Sequence, residues 1–201
     1  MKIGLFGGTF DPIHLGHLSL SKSLIDSKYV DRIIFIIAAK PPHKPGKPIT
    51  QFLHRYKMVE LAINGLDYFS LSDIEEQRLP LPSYTYDTVK EFKKLYPEDK
   101  LFLIIGEDSL LQIHTWYKGR ELTEICELLT YPRPNENSSI EKLKEFWDIN
   151  NATKLFKSKV NLDLYEISST QIRQSLKSGN NESKFLRPCV SRYIRDNQLY
   201  I

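Results

Sequence analysis

The chain has 201 residues, with 28 Lys and Arg against 25 Asp and Glu and a formal net charge of +3. A balance so near neutrality carries no whole-chain nucleic-acid footprint, and the longest apolar run, Ile33 to Ala39, is far short of the roughly 20 residues that a membrane-spanning helix needs. The length fits one α/β domain, residues 1–201, around a sizeable core; Cys126 and Cys189 lack metal-type spacing and read as free thiols, and the first apolar stretch breaks at Gly7-Gly8 without forming a signal-peptide core, so the chain reads as cytosolic.

Lys2 to Phe6 is a short, mostly apolar run that predicts a strand, and a helical pattern opens at His17 and runs to Ser27 with Leu18, Leu20, Leu24 and Ile25 at helix spacing. Between them lies the most informative stretch, Gly7-Gly8-Thr9-Phe10-Asp11-Pro12-Ile13-His14-Leu15-Gly16-His17. Glycines let backbone N–H groups approach an anion, and a helix start adds unpaired donors and a favourable dipole. His14 and His17, at i and i+3, share one side of that helix start, where imidazoles can donate to phosphate oxygens; nearby negative charge favours their protonated form. No Lys-Ser or Lys-Thr follows the glycines, which excludes a P-loop, and the second strand ends Ala38-Ala39-Lys40 without the acidic residue of a dinucleotide fingerprint. The two histidines could also be metal ligands, but no Cys or carboxylate cluster stands near them in sequence.

Ile33 to Ala39 predicts the second strand, followed by a loop stiffened by Pro41, Pro42 and Pro45 in which Lys44 can reach a phosphate as a mobile charge. A helix is expected over Phe52 to Asn64, with His54 partly buried and Arg55 either structural or adjacent to ligand, and another over Thr85 to Tyr96. Leu101 to Ile105 predicts the third strand, after which Gly106-Glu107-Asp108 opens a helix; Asp108 can accept from ribose hydroxyls or serve as an N-cap, and Glu107 is the weaker candidate. The three apolar runs lack clean alternation, as strands buried on both faces of a parallel sheet do. Ligands of such sheets sit outside the strands' carboxyl ends, where Gly7 to His17, Lys40 to Lys47 and Gly106 to Asp108 would gather.

In the second half, Glu127 to Tyr131 predicts a strand, Ile140 to Ile149 a helix, and Val160 to Leu164 a last strand leading into a helix that begins near Ser169. There Ser169 and Thr170 supply hydroxyls at a helix N-terminus and Arg173 a guanidinium one turn in, a site for outer phosphates. The other cations crowding this region, Lys177, Lys184, Arg187, Arg192 and Arg195, read as a solvated helix face. The expected fold class is α/β: a Rossmann-like doubly wound parallel sheet with helices on both faces and a C-terminal helical segment.

The string Gly7 to His17 resembles that of the nucleotidyltransferases that transfer an adenylyl or cytidylyl group through an H-x-G-H motif, and Ile167-Ser168-Ser169-Thr170-Gln171-Ile172-Arg173 resembles their second phosphate-binding signature. Pro41-Pro42-His43-Lys44, Pro82-Ser83-Tyr84-Thr85, Ile105-Gly106-Glu107-Asp108-Ser109 and Thr115-Trp116-Tyr117 resemble the bacterial nicotinate-nucleotide adenylyltransferases in particular. The resemblance implies direct transfer from ATP to nicotinate mononucleotide, with His14, His17 and Arg173 as the catalytic groups. It implies an ATP site made of Gly7, Gly8, Thr9, Phe10, His14, His17, Gly106, Asp108, Ser169, Thr170 and Arg173. For the acceptor it implies Lys44, Ser83, Tyr84, Thr85, Trp116 and Tyr117, with Trp116 stacking on the pyridine ring and backbone groups near Thr85 and Tyr117 meeting its carboxylate. Mg²⁺ is implied by the ATP phosphates and is bound mainly through them. Neither nucleic acid nor membrane is an expected partner, and a homo-oligomer is compatible with the chain. Asn135 departs from the resembling enzymes, which usually have glycine after Arg-Pro; asparagine also tolerates positive φ. The nearest alternatives are a sister enzyme with another acceptor (nicotinamide mononucleotide, phosphopantetheine or a phosphorylated alcohol) and a nucleotide sensor without turnover.

Overall fold

The computed structural model describes residues 1–41, 48–133, 136–162, 167–178 and 182–200. Its strands are β1 (Lys2–Gly8), β2 (Arg32–Ile37), β3 (Phe69–Ser72), β4 (Lys100–Gly106) and β5 (Glu127–Tyr131), all parallel, in the order β3-β2-β1-β4-β5. In β2, Ile33, Phe35 and Ile37 enter one hydrophobic core while Ile34 and Ile36 enter another on the opposite face. In β4, Phe102 and Ile104 join the first and Leu101, Leu103 and Ile105 the second. Burial on both faces therefore removes the apolar-polar alternation that a half-exposed sheet would show.

Nine α-helices lie among the described residues: α1 (Leu15–Asp26), α2 (Phe52–Ile63), α3 (Thr85–Leu95), α4 (Glu107–Gln112), α5 (Gly119–Ile125), α6 (Ile140–Lys144), α7 (Ile149–Lys157), α8 (Ser169–Lys177) and α9 (Pro188–Asp196). Leu20 and Leu24 of α1, Met58 and Val59 of α2, Ile172 of α8, and Val190 and Ile194 of α9 fill the first core. Residues of α3 through α7, such as Phe92, Leu110, Leu122, Leu143 and Leu155, fill the second. Helices thus cover both faces, as expected of a doubly wound sheet. The chain leaves β1 toward β2 on one side and returns to β4 on the other, so the carboxyl ends of β1 and β4 flank the topological switch point where such sheets bind ligands.

The structure departs from the sequence expectations in several places. Helix α1 begins at Leu15, two residues early, with His14 as its N-cap. The helix expected over Ile140 to Ile149 is two: α6 stops at Lys144, and Asp148 starts α7 by accepting the N–H groups of Asn150 and Asn151, each at 3.0 Å. Val160 does not open a strand; Thr130 and Lys159 make an isolated bridge, and residues 163 and 164 lie outside the described residues, as does Asn135. The four-residue strand β3 carried no expectation, being too short for periodicity to reveal. Arg187 is not simply solvated, since its Nη1 donates to the carbonyl of Ala62 at 2.7 Å. Cys126 and Cys189 are free thiols, as expected, and no helix among the described residues is long and apolar enough to cross a membrane.

Candidate active site

The loop from β1 into α1 is shaped by its small residues. A Cβ on Gly7 would meet nothing within 4 Å, whereas one on Gly8 would lie 2.9 Å from the ring of Phe10. Phe10 itself is 2% exposed, its ring packed edge-on to His17 with centroids 5.1 Å apart. The ring therefore packs in the first core against His17.

His14 and His17 act on one another. The backbone N–H of His14 donates to Nδ1 of His17 at 3.2 Å, and the two rings stack with centroids 3.7 Å apart. Because Nδ1 of His17 is an acceptor, the proton of the neutral ring sits on Nε2, leaving a donor for a ligand. Burial lowers the pKa of His14 to about 4, with Arg133 adding to the effect. His17 is held well below the ordinary histidine range, again by burial first, then by His14 and Arg133. Without ligand both rings are thus neutral, so any protonated form has to come with the negative charge that a bound polyphosphate brings.

The second motif is stitched to the first. Ser168 caps α8, its Oγ accepting from the N–H of Gln171 at 3.2 Å while Gln171 Oε1 accepts from the N–H of Ser168 at 3.0 Å. Capping by Ser168 leaves Ser169 and Thr170 for other work. Ser169 Oγ donates to the carbonyl of Pro12 at 2.9 Å, and Arg173 donates from Nη1 to the carbonyl of Asp11 at 2.7 Å and from Nη2 to Thr170 Oγ1 at 3.2 Å. The histidines and Arg173, far apart in sequence, therefore sit on one platform. Beneath it Arg55, 2% exposed, donates to the carbonyls of Thr50 (2.8 Å), Thr9 (2.9 Å) and Ala38 (2.9 Å), joining the ends of β1 and β2 to the start of α2. Arg55 is structural. His54 is likewise occupied, with Nδ1 2.9 Å from the hydroxyl of Tyr193 on α9.

At the end of β4, Gly106 makes room for two charged groups: a Cβ there would fall 2.3 Å from Asp108 Oδ1 and 2.9 Å from Arg133 Nε. Gly106, not Asp108, occupies the N-cap of α4. Asp108 instead faces Arg133, Nε to Oδ1 3.5 Å, which leaves part of its carboxylate for a ligand hydroxyl. Glu107 is buried and structural, held by Lys159 Nζ at 2.7 Å and the N–H of Ser138 at 2.8 Å. Burial raises its pKa, but the hydrogen bonds from Lys159 and Ser138 outweigh that and keep it below the usual carboxylate value.

A cavity of about 660 Å³ opens beside Gly7, Gly8 and Thr9 and is lined also by Ser83, Tyr84, Thr85, Trp116, Tyr117 and Arg133. All of the described acceptor candidates thus meet in one place; Lys44 lies outside the described residues. Their duties differ. Ser83 Oγ accepts the N–H groups of Ala39 and Lys40 at 3.1 and 3.0 Å, clasping the end of β2 to the start of α3. Tyr84 and Tyr117 stack on each other with centroids 4.4 Å apart, walling the cavity. Thr85 is the first residue of α3, so the unpaired N–H groups of that helix start there. Sequence reasoning passed over Arg133, whose Nη2 donates to the hydroxyl of Tyr131 at 2.9 Å and whose charge reaches both histidines. The available signal was its place in a proline-flanked loop directly after a strand.

Comparison with known proteins gives the family and the fold. The family described as Cytidylyltransferase-like matches residues 5–175. A protein of Thermoanaerobacter sp. (strain X514) named "Probable nicotinate-nucleotide adenylyltransferase" is 38% identical, over 100% of this chain and 94% of its own length. A protein of the same name from Thermus thermophilus is 38% identical over 100% of both chains. Among solved structures, Plasmodium falciparum nicotinic acid mononucleotide adenylyltransferase complexed with NaAD has the same fold, with a TM-score of 0.79 at 24% identity, covering 99% of this chain and 97% of that one.

Proposed function

Because the chain belongs to the cytidylyltransferase-like family, and within it to the nicotinate-nucleotide adenylyltransferases, we propose that it transfers the adenylyl group of ATP to nicotinate mononucleotide, giving nicotinate adenine dinucleotide and pyrophosphate. The observation that carries the site assignment is the join of His14, His17 and Arg173 on one platform, through Asp11 and Pro12, beside a cavity that holds Thr85 and Trp116.

The chemistry asks for position and charge neutralisation rather than for a protein nucleophile. An oxygen of the mononucleotide phosphate bonds to the α-phosphorus of ATP, the bond from that phosphorus to the bridging oxygen breaks, and pyrophosphate leaves with the electron pair. The attacking oxygen is already ionised, so no general base is needed. His17 donates from Nε2 to the α- and β-phosphates, with His14 beside it, as charge grows on the transferring and leaving groups. Arg173, with the backbone N–H groups of Ser169 and Thr170 at the start of α8 and the hydroxyl of Thr170, takes the outer phosphates, while the Ser169 hydroxyl stays on Pro12. Asp108 accepts from ribose, Gly106 lets Asp108 and Arg133 stand against the end of β4, and Gly7 leaves open space for the nucleotide.

In the acceptor cavity Trp116 offers its face to the pyridine ring, and the first N–H groups of α3 at Thr85 meet the carboxylate. Ser83, Tyr84 and Tyr117 shape the wall, and Lys44 is assigned to a phosphate. Mg²⁺ fits as an ion carried by the ATP phosphates and water: both oxygens of Asp11 are engaged by Thr50 and Tyr200, and Asp108 faces Arg133. When bound it neutralises phosphate charge. A cytosolic setting and small-molecule substrates complete the proposal, and a homo-oligomer is compatible with it.

The test is to incubate the purified chain with ATP and Mg²⁺ and, separately, nicotinate mononucleotide, nicotinamide mononucleotide and phosphopantetheine, and to measure pyrophosphate. Release with the first acceptor above the other two is expected. Preference for another acceptor would replace the substrate assignment, and no release with any would favour a sensor.

A further inference from the structure

Asp11, at the centre of the β1–α1 loop, is 5% exposed, and three distant parts of the chain meet on it. Its backbone carbonyl accepts from Arg173, its Oδ2 accepts the N–H of Thr50 at 3.3 Å, and its Oδ1 accepts the hydroxyl of Tyr200 at 2.5 Å. Tyr200 belongs to the turn after α9, where the N–H of Leu199 donates to the carbonyl of Ile194 at 3.0 Å and both Leu199 and Tyr200 pack against the first core. A carboxylate this buried is costly unless its oxygens are satisfied, and Tyr200 satisfies one of them from 189 residues away. Burial and the neighbouring carboxylate raise the pKa of this phenol, so the hydroxyl remains a donor across the working pH range.

We infer that Tyr200 is a positioning residue for adenylyl transfer: its hydroxyl, held on Asp11, fixes the loop that carries His14 and His17 and the carbonyl that aims Arg173. The inference rests on the reading of those three side chains as the phosphate-holding groups. Its chemical content lies in the hydroxyl and not in the ring. A tyrosine retained for packing could be replaced by phenylalanine without effect; one that orients Asp11 could not.

The experiment compares Tyr200→Phe with the unaltered full chain for pyrophosphate release, together with Asp11→Ala and the double variant. A misplacement of about 1 Å in a catalytic group costs on the order of 100-fold, and loss of one buried hydrogen bond moves the loop by less, so kcat should fall roughly tenfold. The KM for nicotinate mononucleotide should stay within about twofold, because uniform acceptor binding is untouched, while the melting temperature should fall by several degrees because Asp11 Oδ1 loses its donor. In the Asp11→Ala background, Tyr200→Phe should have no further effect on kcat, the signature of two residues acting as one unit. Normal kcat in Tyr200→Phe overturns the inference, as does a loss that persists undiminished without Asp11, or an acceptor KM that rises as much as kcat falls. An inactive unaltered chain would sink the functional reading and the inference together. An active chain with a fully active Tyr200→Phe variant would sink the inference alone.

Discussion

His17 carries its proton on Nε2 because its Nδ1 accepts the backbone N–H of His14 at 3.2 Å. One contact thereby caps α1, orders the stacked ring pair and selects the tautomer that can donate to a phosphate. Spacing of i and i+3 made the pairing accessible, and the extended backbone of His14 at the helix entrance made it real.

Replacing His17 by alanine should cost about 100- to 1000-fold in kcat, the usual loss for one donor to developing charge. It should also leave the His14 N–H without its partner, at about 1 kcal/mol of stability, which still permits folding. Steady-state pyrophosphate release and a denaturation curve on the same preparation check both; near-normal turnover would remove His17 from the mechanism.

Stability should fall with pH on the acid side. The pKa of His14 is about 4 in the folded chain against 6.5 for an ordinary histidine, so the unfolded state binds more protons anywhere between those values. The stabilisation is complete above pH 6.5 and disappears as pH falls toward 4, with His17 acting in the same direction. From pH 7 to 4.5 the loss from His14 is roughly 2–3 kcal/mol. Denaturant unfolding at the two pH values should show a smaller drop in His14→Asn than in the unaltered chain, and an equal drop would contradict the assignment.

Trp116→Ala should raise the KM for nicotinate mononucleotide several-fold, since a stacked aromatic contributes about 0.5–1.5 kcal/mol beyond area burial. The maximal rate should change less. Initial-rate measurements with each substrate varied in turn decide the matter, because an effect confined to ATP would place Trp116 on the wrong side of the site.

Arg133 lowers the pKa of both histidines, though burial is the larger cause for each. In Arg133→Gln without nucleotide, the His14 pKa should therefore rise from about 4 yet stay below 6.5. Proton NMR titration of the imidazole signals measures this directly. An unchanged His14 titration would mean that the guanidinium stands farther from the rings, or is better screened, than the fold indicates.

Much of the architecture was legible in the sequence because it depends on local signals. Glu127 to Tyr131 forms β5 as expected, and α2 and α3 start at Phe52 and Thr85 as their patterns indicate. Where local signals compete, the reading failed. Asp148 interrupts the helix expected through Ile149, and β3 is too brief to show a period. For Phe10 and Ser83 the strings could not show local packing: the ring of Phe10 lies in the core, and the Ser83 hydroxyl clasps backbone at the cavity wall.

From the sequence alone came the parallel sheet, the loop that follows β1, the histidine spacing, and the family resemblance with its substrates. These rest on periodicity, on glycine and on short strings whose meaning is carried within a dozen residues. Only the tertiary structure decided that Asp11 would gather Thr50, Arg173 and Tyr200, that Arg133 would stand near both histidines, and that those rings would be neutral until ligand arrives. The physical reason is that hydrogen bonds and charge act through space, and burial depends on everything that surrounds a group, so partners separated by more than a hundred residues set what each side chain can do.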